Sequence, residues 1–186
     1  GVSSVNPFKL AFLICDTSNA DLWTSFINLT YTSAFANITP KTFCGIESYL
    51  ITPQIDAKWN KNNLHLRSII VSKDGEVLSC GFKKFFNFGE KTDCYWNPED
   101  YNDWYITEKL DGSLLIADYV NGQFNMRTRG TVSYIEQENS SDFELLPKKY
   151  PKILEEFPNF SNLSLLFEIV TPNNVIVIRP KDVEFC

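Results

Sequence analysis

Two strand-like runs, Ser113 to Tyr119 and Gln123 to Arg129, are joined through Asn121-Gly122, and this feature most constrains the fold. A tight two-residue hairpin turn needs positive φ at both central positions, which asparagine and glycine adopt at least cost. The chain is therefore expected to double back there as two antiparallel strands. A second hairpin is expected from Leu66 to Ser72, through the turn Lys73-Asp74-Gly75-Glu76, into Val77 to Cys80. A third runs from Leu165 to Val170, turns at Thr171-Pro172-Asn173-Asn174, and returns through Val175 to Arg179. Tyr105-Ile106-Thr107 reads as a short strand. Helix signals are weaker: Asp21 to Leu29 is one candidate, and Pro151 to Phe157, with proline in its first turn, is another. The expected class is α+β, dominated by antiparallel sheet.

With 186 residues, 44% hydrophobic, the chain is sized for one domain with a real core. Asn60-Lys61-Asn62-Asn63 and Asn139-Ser140-Ser141-Asp142 read as surface loops inside it. A formal charge of −6 argues against coating nucleic acid through bulk basicity, but leaves room for a local basic groove. No apolar run approaches the length of a membrane-spanning helix. The apolar start, Phe8 to Ile14, is broken by Lys9 and is not followed by a small-residue cleavage site, so no signal peptide is expected. The five cysteines, Cys15, Cys44, Cys80, Cys94 and Cys186, are scattered without the spacing of a zinc knuckle or redox dithiol. Idle thiols in a reducing compartment are the simpler reading, which places the protein in the cytoplasm, or the host cytoplasm if its source is viral. Asn28, Asn37, Asn139, Asn159 and Asn162 each begin an N-x-S/T triplet, so a secreted glycoprotein stays open as an alternative.

Few residues stand out as chemistry. His65 is the one histidine, and nothing near it suggests a nucleophilic dyad or triad. Neither a Gly-x-x-x-x-Gly-Lys loop nor a Gly-x-Gly-x-x-Gly fingerprint is present. The informative segment is Thr107 to Leu115, in which Lys109 ends an apolar strand and is followed by Asp111 and Gly112. Asp-Gly is also a common turn dipeptide, and Lys109 could point outward into solvent. The functional reading makes Lys109 a nucleophile toward phosphorus. A free lysine titrates at about 10.4, and reaching neutrality requires a drop of about 3.4, equivalent to about 4.6 kcal/mol. Burial and neighbouring cations both disfavour the ammonium. Candidate cations are Lys83 and Lys84 within the apolar Phe82 to Phe88, Arg67 at the head of an Ile-Ile-Val strand, and Arg127 with Arg129. Two residues apart on one strand, Arg127 and Arg129 are expected to share a face. Together these cations could line a cleft for a triphosphate, with arginine forks on the phosphate oxygens.

The tetrad Lys109 to Gly112 resembles the Lys-x-Asp-Gly nucleophile motif of covalent nucleotidyltransferases, which include RNA and DNA ligases and mRNA capping enzymes. With Ser113-Leu114 after it, the segment resembles the phage-type RNA ligase 1 family in particular. The flanks continue the resemblance in order. Ile46-Glu47-Ser48-Tyr49 is similar to an early segment whose tyrosine meets the nucleotide, and Leu66-Arg67-Ser68-Ile69 to a strand whose arginine reaches the phosphates, with Ser68 where glycine is usual. Lys73 to Glu76 and Phe82 to Phe88 resemble the hairpin turn and Lys-Phe-Phe-Asn element before the nucleophile. Arg127 to Thr131 resembles a basic-x-basic-Gly-Ser/Thr segment, with arginines for the usual lysines. Leu166 to Val177 is similar to an element whose glutamate contacts the nucleotide sugar.

The resemblance spans roughly residues 44 to 180. It implies a nucleotidyltransferase fold, an ATP-grasp-like ligase adenylation domain over residues 1–186, ending before the family's second acidic motif and paired lysines. It therefore implies either a further C-terminal part outside this chain or a shortened relative of the family. It implies an ATP-dependent RNA ligase that joins 5′-phosphate and 3′-hydroxyl RNA ends through lysyl-AMP, with ATP and Mg2+ as cofactors, RNA ends as partners and no membrane. Lys109 would be the nucleophile. Tyr49, Arg67, Lys84, Phe86, Asp111, Gly112, Arg127, Arg129 and Glu168 would contact the nucleotide or order its site. The metal ligands are not assigned. A ligase-like domain that binds nucleotide or RNA ends without completing catalysis is the alternative.

Overall fold

The computed structural model describes residues 36–60, 63–87, 89–90, 108–136, 140–161, 163–170 and 184–185. Within them lie two four-stranded antiparallel sheets. The first has the order β1-β2-β3-β4, from Ala36–Phe43, Ile46–Pro53, Ile69–Ser72 and Val77–Cys80. The second has the order β6-β5-β7-β8, from Gln123–Arg127, Ser113–Val120, Ser164–Val170 and Glu184–Phe185. The α+β class expected from the sequence holds for these residues.

Apolar side chains form three groups. Ile51, Leu66, Ile69, Val71 and Val77 pack on one face of the first sheet, with Ala57 and Trp59 against them. Leu115, Ala117, Met126 and Ile169 pack on the outer face of the second sheet beneath Phe143, Leu146 and Phe157. Those three come from short helical turns at Ser140–Phe143, Leu145–Lys149 and Phe157–Phe160. Phe43, Leu50, Ile70 and Leu78 cluster with Val120 and Val132 and join the two sheets. Each fully buried aliphatic side chain contributes about 1.5–3 kcal/mol, so these groups account for most of the driving force.

The hairpin turns follow from local chemistry. Asn121 and Gly122 have φ of 51° and 72°, as a turn of mirror-image type demands. Gly75 has φ of 86° in the β3–β4 turn, where the Ser72 hydroxyl also accepts the Glu76 amide at 3.0 Å. The β1–β2 turn, at Cys44 and Gly45 with φ of 50° and 77°, carried a weaker signal because cysteine seldom adopts that conformation. Asn121 Nδ2 donates to the Cys44 carbonyl at 2.9 Å, so the two turns tie the sheets together at one end.

Several boundaries differ from expectation. The strand expected from Leu66 begins at Ile69, because Leu64–Arg67 winds into a 3₁₀ turn that buries Leu66. Arg67 therefore closes a turn and does not head the strand. The strand expected to reach Arg129 stops at Arg127. There the Thr131 hydroxyl accepts the Thr128 amide at 3.1 Å and turns the chain. Ser140–Phe143 is helical where a loop was expected. The helix expected from Pro151 is present as Lys152–Glu156, with Pro151 as its cap. Asp21 to Leu29, Tyr105 to Thr107 and Thr171 to Arg179 lie outside the described residues. No helix among the described residues is long and apolar enough to cross a membrane.

Candidate functional site

A cleft of about 360 Å³ opens beyond the end of β2 and collects three of the expected cations. Its walls are Thr52 to Ile55, Trp59, Arg67, Lys84, Arg129 and Gly130. Arg67 arrives from the 3₁₀ turn, Lys84 from the irregular segment after β4, and Arg129 from the turn after β6. Among the described residues none of the three forms an ion pair with a carboxylate. Burial, with the Arg129 charge behind it, pulls the Arg67 guanidinium below its usual range. Arg67 lies over the Phe85 ring at 4.9 Å and Lys84 over the Phe86 ring at 5.0 Å, contacts that orient long cationic side chains. Three cations gathered in one concavity suit a polyphosphate.

A second group lies where β5 begins. Glu168, opposite Leu114 in the β5–β7 register, accepts the Gly112 amide through Oε1 at 3.0 Å. Partial burial raises the Glu168 carboxyl above its ordinary range, against the opposing pull of that amide and of the Lys109 charge, while Asp111 adds to the rise. A side chain at position 112 would run into the Ile169 carbonyl, so glycine alone permits this approach of the two strands. Lys109 itself is exposed, next to Glu168. The nucleophile reading of the sequence expects a buried amine flanked by cations, and the turn reading an amine pointing outward; the amine stands in solvent beside a carboxylate, and the cations line the cleft.

Tyr49 and Arg127 stand apart from both groups. Alternation along β2 puts Tyr49 on the face of Ile51, opposite Leu50 and Thr52, and its phenol acts on Lys73. Arg127 is fully buried between the sheets. Its Nε donates to Ser79 at 2.8 Å and its Nη1 to Ser68 at 2.8 Å and to the Thr128 carbonyl at 3.1 Å, while Nη2 has no partner. Asp118 lies 3.9 Å away and accepts from Ser79 at 2.7 Å and from Ser164. Burial raises the Asp118 carboxyl and lowers the Arg127 guanidinium, so desolvation outweighs their attraction. The expectation that Arg127 and Arg129 share a face fails because the strand ends between them: Arg127 points into the interior and Arg129 lines the cleft. His65 is placed in the 3₁₀ turn, and its side chain lies outside the described residues.

Sequence reasoning missed Trp59 and Thr52 to Ile55 in the cleft wall, and the Asp118–Ser79–Ser164 network. Asp118, a charge on an inward position of an apolar strand, was the available signal.

Magnesium takes one or two carboxylates together with substrate phosphates, and Asp111 and Glu168 beside Lys109 are of that chemistry. No group of three or more metal-ligating side chains occurs among the described residues.

Comparison with known proteins places the chain in a family. A family model described as RNA ligase, of the T4 RNA ligase 1 type, matches residues 65–184, more than half of the chain. A protein named "Putative RNA ligase" from Thermovibrio ammonificans is 29% identical over 111 residues, 58% of this chain and 28% of that protein's length. The match therefore covers under a third of that relative. The segment matched by the family model carries Arg67, Lys84, the Lys109 tetrad, Arg129 and Glu168 in one run. On that match the chain belongs to the T4-type RNA ligase family.

Proposed function

We propose that this chain carries the nucleotide-activating site of an ATP-dependent RNA ligase. One observation supports this above others: the cleft brings Arg67, Lys84 and Arg129 into one concavity, and the cleft and the Lys109 group each lie at a strand end. The Cys44–Asn121 tie marks the opposite end of these strands, from which β2 runs outward to Thr52 and back to which β5 runs from Ser113. Thr52 and Gly112 thus both lie at strand ends remote from the tie.

In this reading Arg67, Lys84 and Arg129 hold the triphosphate, and their forks and ammonium balance its charge. Lys109 Nζ, once deprotonated, attacks the α-phosphorus. A P–N bond forms, the α–β bridging P–O bond breaks, and pyrophosphate leaves with the electron pair. Glu168 accepts from the ribose hydroxyls, and its bond to Gly112 fixes the loop that presents Lys109. Asp111 and Glu168 would hold a magnesium ion, which supplies charge neutralisation at the phosphates. AMP then passes to an RNA 5′-phosphate, and an RNA 3′-hydroxyl displaces it as the strand is sealed.

Sealing of RNA that carries a 5′-phosphate and a 3′-hydroxyl, by the protein with ATP and Mg2+, tests this reading. Lys109→Ala is expected to stop the reaction, and sealing that persists in that variant would overturn the assignment. A domain that only holds nucleotide or RNA ends is the second reading, favoured by the exposure of Lys109. It predicts stabilisation by nucleotide with no sealing.

A further inference from the structure

The cationic cleft is assembled from segments far apart in sequence, and one buried hydroxyl joins two of them. Ser68 is 1% exposed and directly follows Arg67. Its Oγ accepts from Arg127 Nη1 at 2.8 Å and donates to the Arg129 carbonyl at 2.8 Å. A serine hydroxyl has one proton and two lone pairs, so this proton is committed to the turn that carries Arg129. The same Arg127 guanidinium is held at the Thr128 carbonyl through Nη1, and its Nε also donates to Ser79, which is bonded to Asp118.

We propose that Ser68 is a positioning residue of the cleft: it holds the turns bearing Arg67 and Arg129 at the spacing at which both guanidiniums engage one triphosphate. The inference rests on reading the cleft as the triphosphate site. Two like charges brought together in a half-buried concavity repel, and an unconstrained turn at Arg129 would relax away from Arg67. The relay from Arg127 through Ser68 opposes that relaxation, so the reorganisation needed for binding is met in the fold beforehand. Ser79 provides an internal comparison. It is equally buried and bonds the same guanidinium, but its hydroxyl bonds are to Arg127 and Asp118, neither of which lines the cleft.

Calorimetric titration of the full chain with inorganic tripolyphosphate, paired with thermal melts, tests the proposal. Ser68→Ala removes the link to Arg129 while Arg127 Nη1 keeps the Thr128 carbonyl. It is expected to weaken tripolyphosphate binding about tenfold. Ser68→Cys, which keeps the side-chain volume with a weak donor, is expected to show the same direction of loss. Ser79→Ala is expected to lower the melting midpoint at least as much, yet change affinity by no more than about twofold. Because Ser68 acts through Arg129, its effect is expected to vanish in an Arg129→Ala background. Unchanged affinity in both Ser68 variants, or a penalty undiminished in that background, would overturn the proposal. If tripolyphosphate binding behaves as stated while no adduct forms on Lys109, the positioning role stands and the ligase reading falls. If the wild-type chain does not bind tripolyphosphate, both fall.

Discussion

Glu168 Oε1 accepts the backbone amide of Gly112 at 3.0 Å, joining residues 56 positions apart in the chain. This contact links the last motif of the matched segment to the tetrad that holds Lys109. It depends on the absence of a side chain at position 112, since a Cβ there meets the Ile169 carbonyl.

Gly112→Ala is therefore expected to force β5 away from β7, costing about 1–3 kcal/mol in urea unfolding. Adduct formation on Lys109 should fall with it. A variant of wild-type stability would contradict the close approach of the two strands.

The Asp118–Arg127 pair supports a separate prediction. Asp118→Ala leaves a fully buried guanidinium without its carboxylate, and loss of one partner of such a pair costs about 3–5 kcal/mol. Chemical denaturation measures this directly. A loss under about 1 kcal/mol would mean that water reaches Arg127.

The sequence disclosed the fold wherever the determining chemistry was local. Asn121-Gly122 and Gly75 set two hairpins because positive φ is a property of the residue itself. Arg127 was misread for the opposite reason. Whether a strand carries on for two more residues was decided by a bond from the Thr128 amide to Thr131, and the side chain's burial by Ser68, Ser79 and Asp118 on other strands. Ser79 reaches that network because β3 and β4 shift register, with Ile70 opposite Ser79 and Val71 opposite Val77, so Leu78 has no partner. No reading of single residues discloses such a bulge. Arg67, Lys84 and Arg129 were legible as cations that could share a cleft, but so were Lys83 and Arg127, and the cleft takes only the first three. The exposure of Lys109 agrees with the turn reading that Asp111-Gly112 offered, while its place beside Glu168 was not legible, because that depends on the pairing of β5 with β7.

Cleft charge gives a third prediction. Arg67→Ala and Arg129→Ala should each weaken tripolyphosphate binding by about 1.5–3 kcal/mol, the range for charge-assisted hydrogen bonds. Raising salt should weaken binding to the wild-type chain more than to either variant. Equal salt dependence in all three proteins would place the anion elsewhere.

A pH-dependent prediction concerns Cys44, whose thiol is pushed up to about 11 by burial and secondarily by Asp118. A raised pKa means that the folded state holds this proton more tightly than the unfolded chain does. Its contribution to stability is therefore full below the ordinary value of 9.0 and is lost as pH rises from there to about 11. Alkylation followed by peptide mass spectrometry should show Cys44 almost inert at pH 8, where about 0.1% is thiolate, with a rate rising about tenfold per pH unit. Modification at pH 8 as fast as that of a free thiol would contradict the burial.

The most direct measurement of the central claim is the site of the covalent nucleotide. The protein is incubated with ATP labelled at the α-phosphate and Mg2+, digested, and its labelled peptide sequenced by mass spectrometry. The account predicts AMP on Lys109, with all label lost in Lys109→Ala. Label on another residue, or label that survives that substitution, would contradict it.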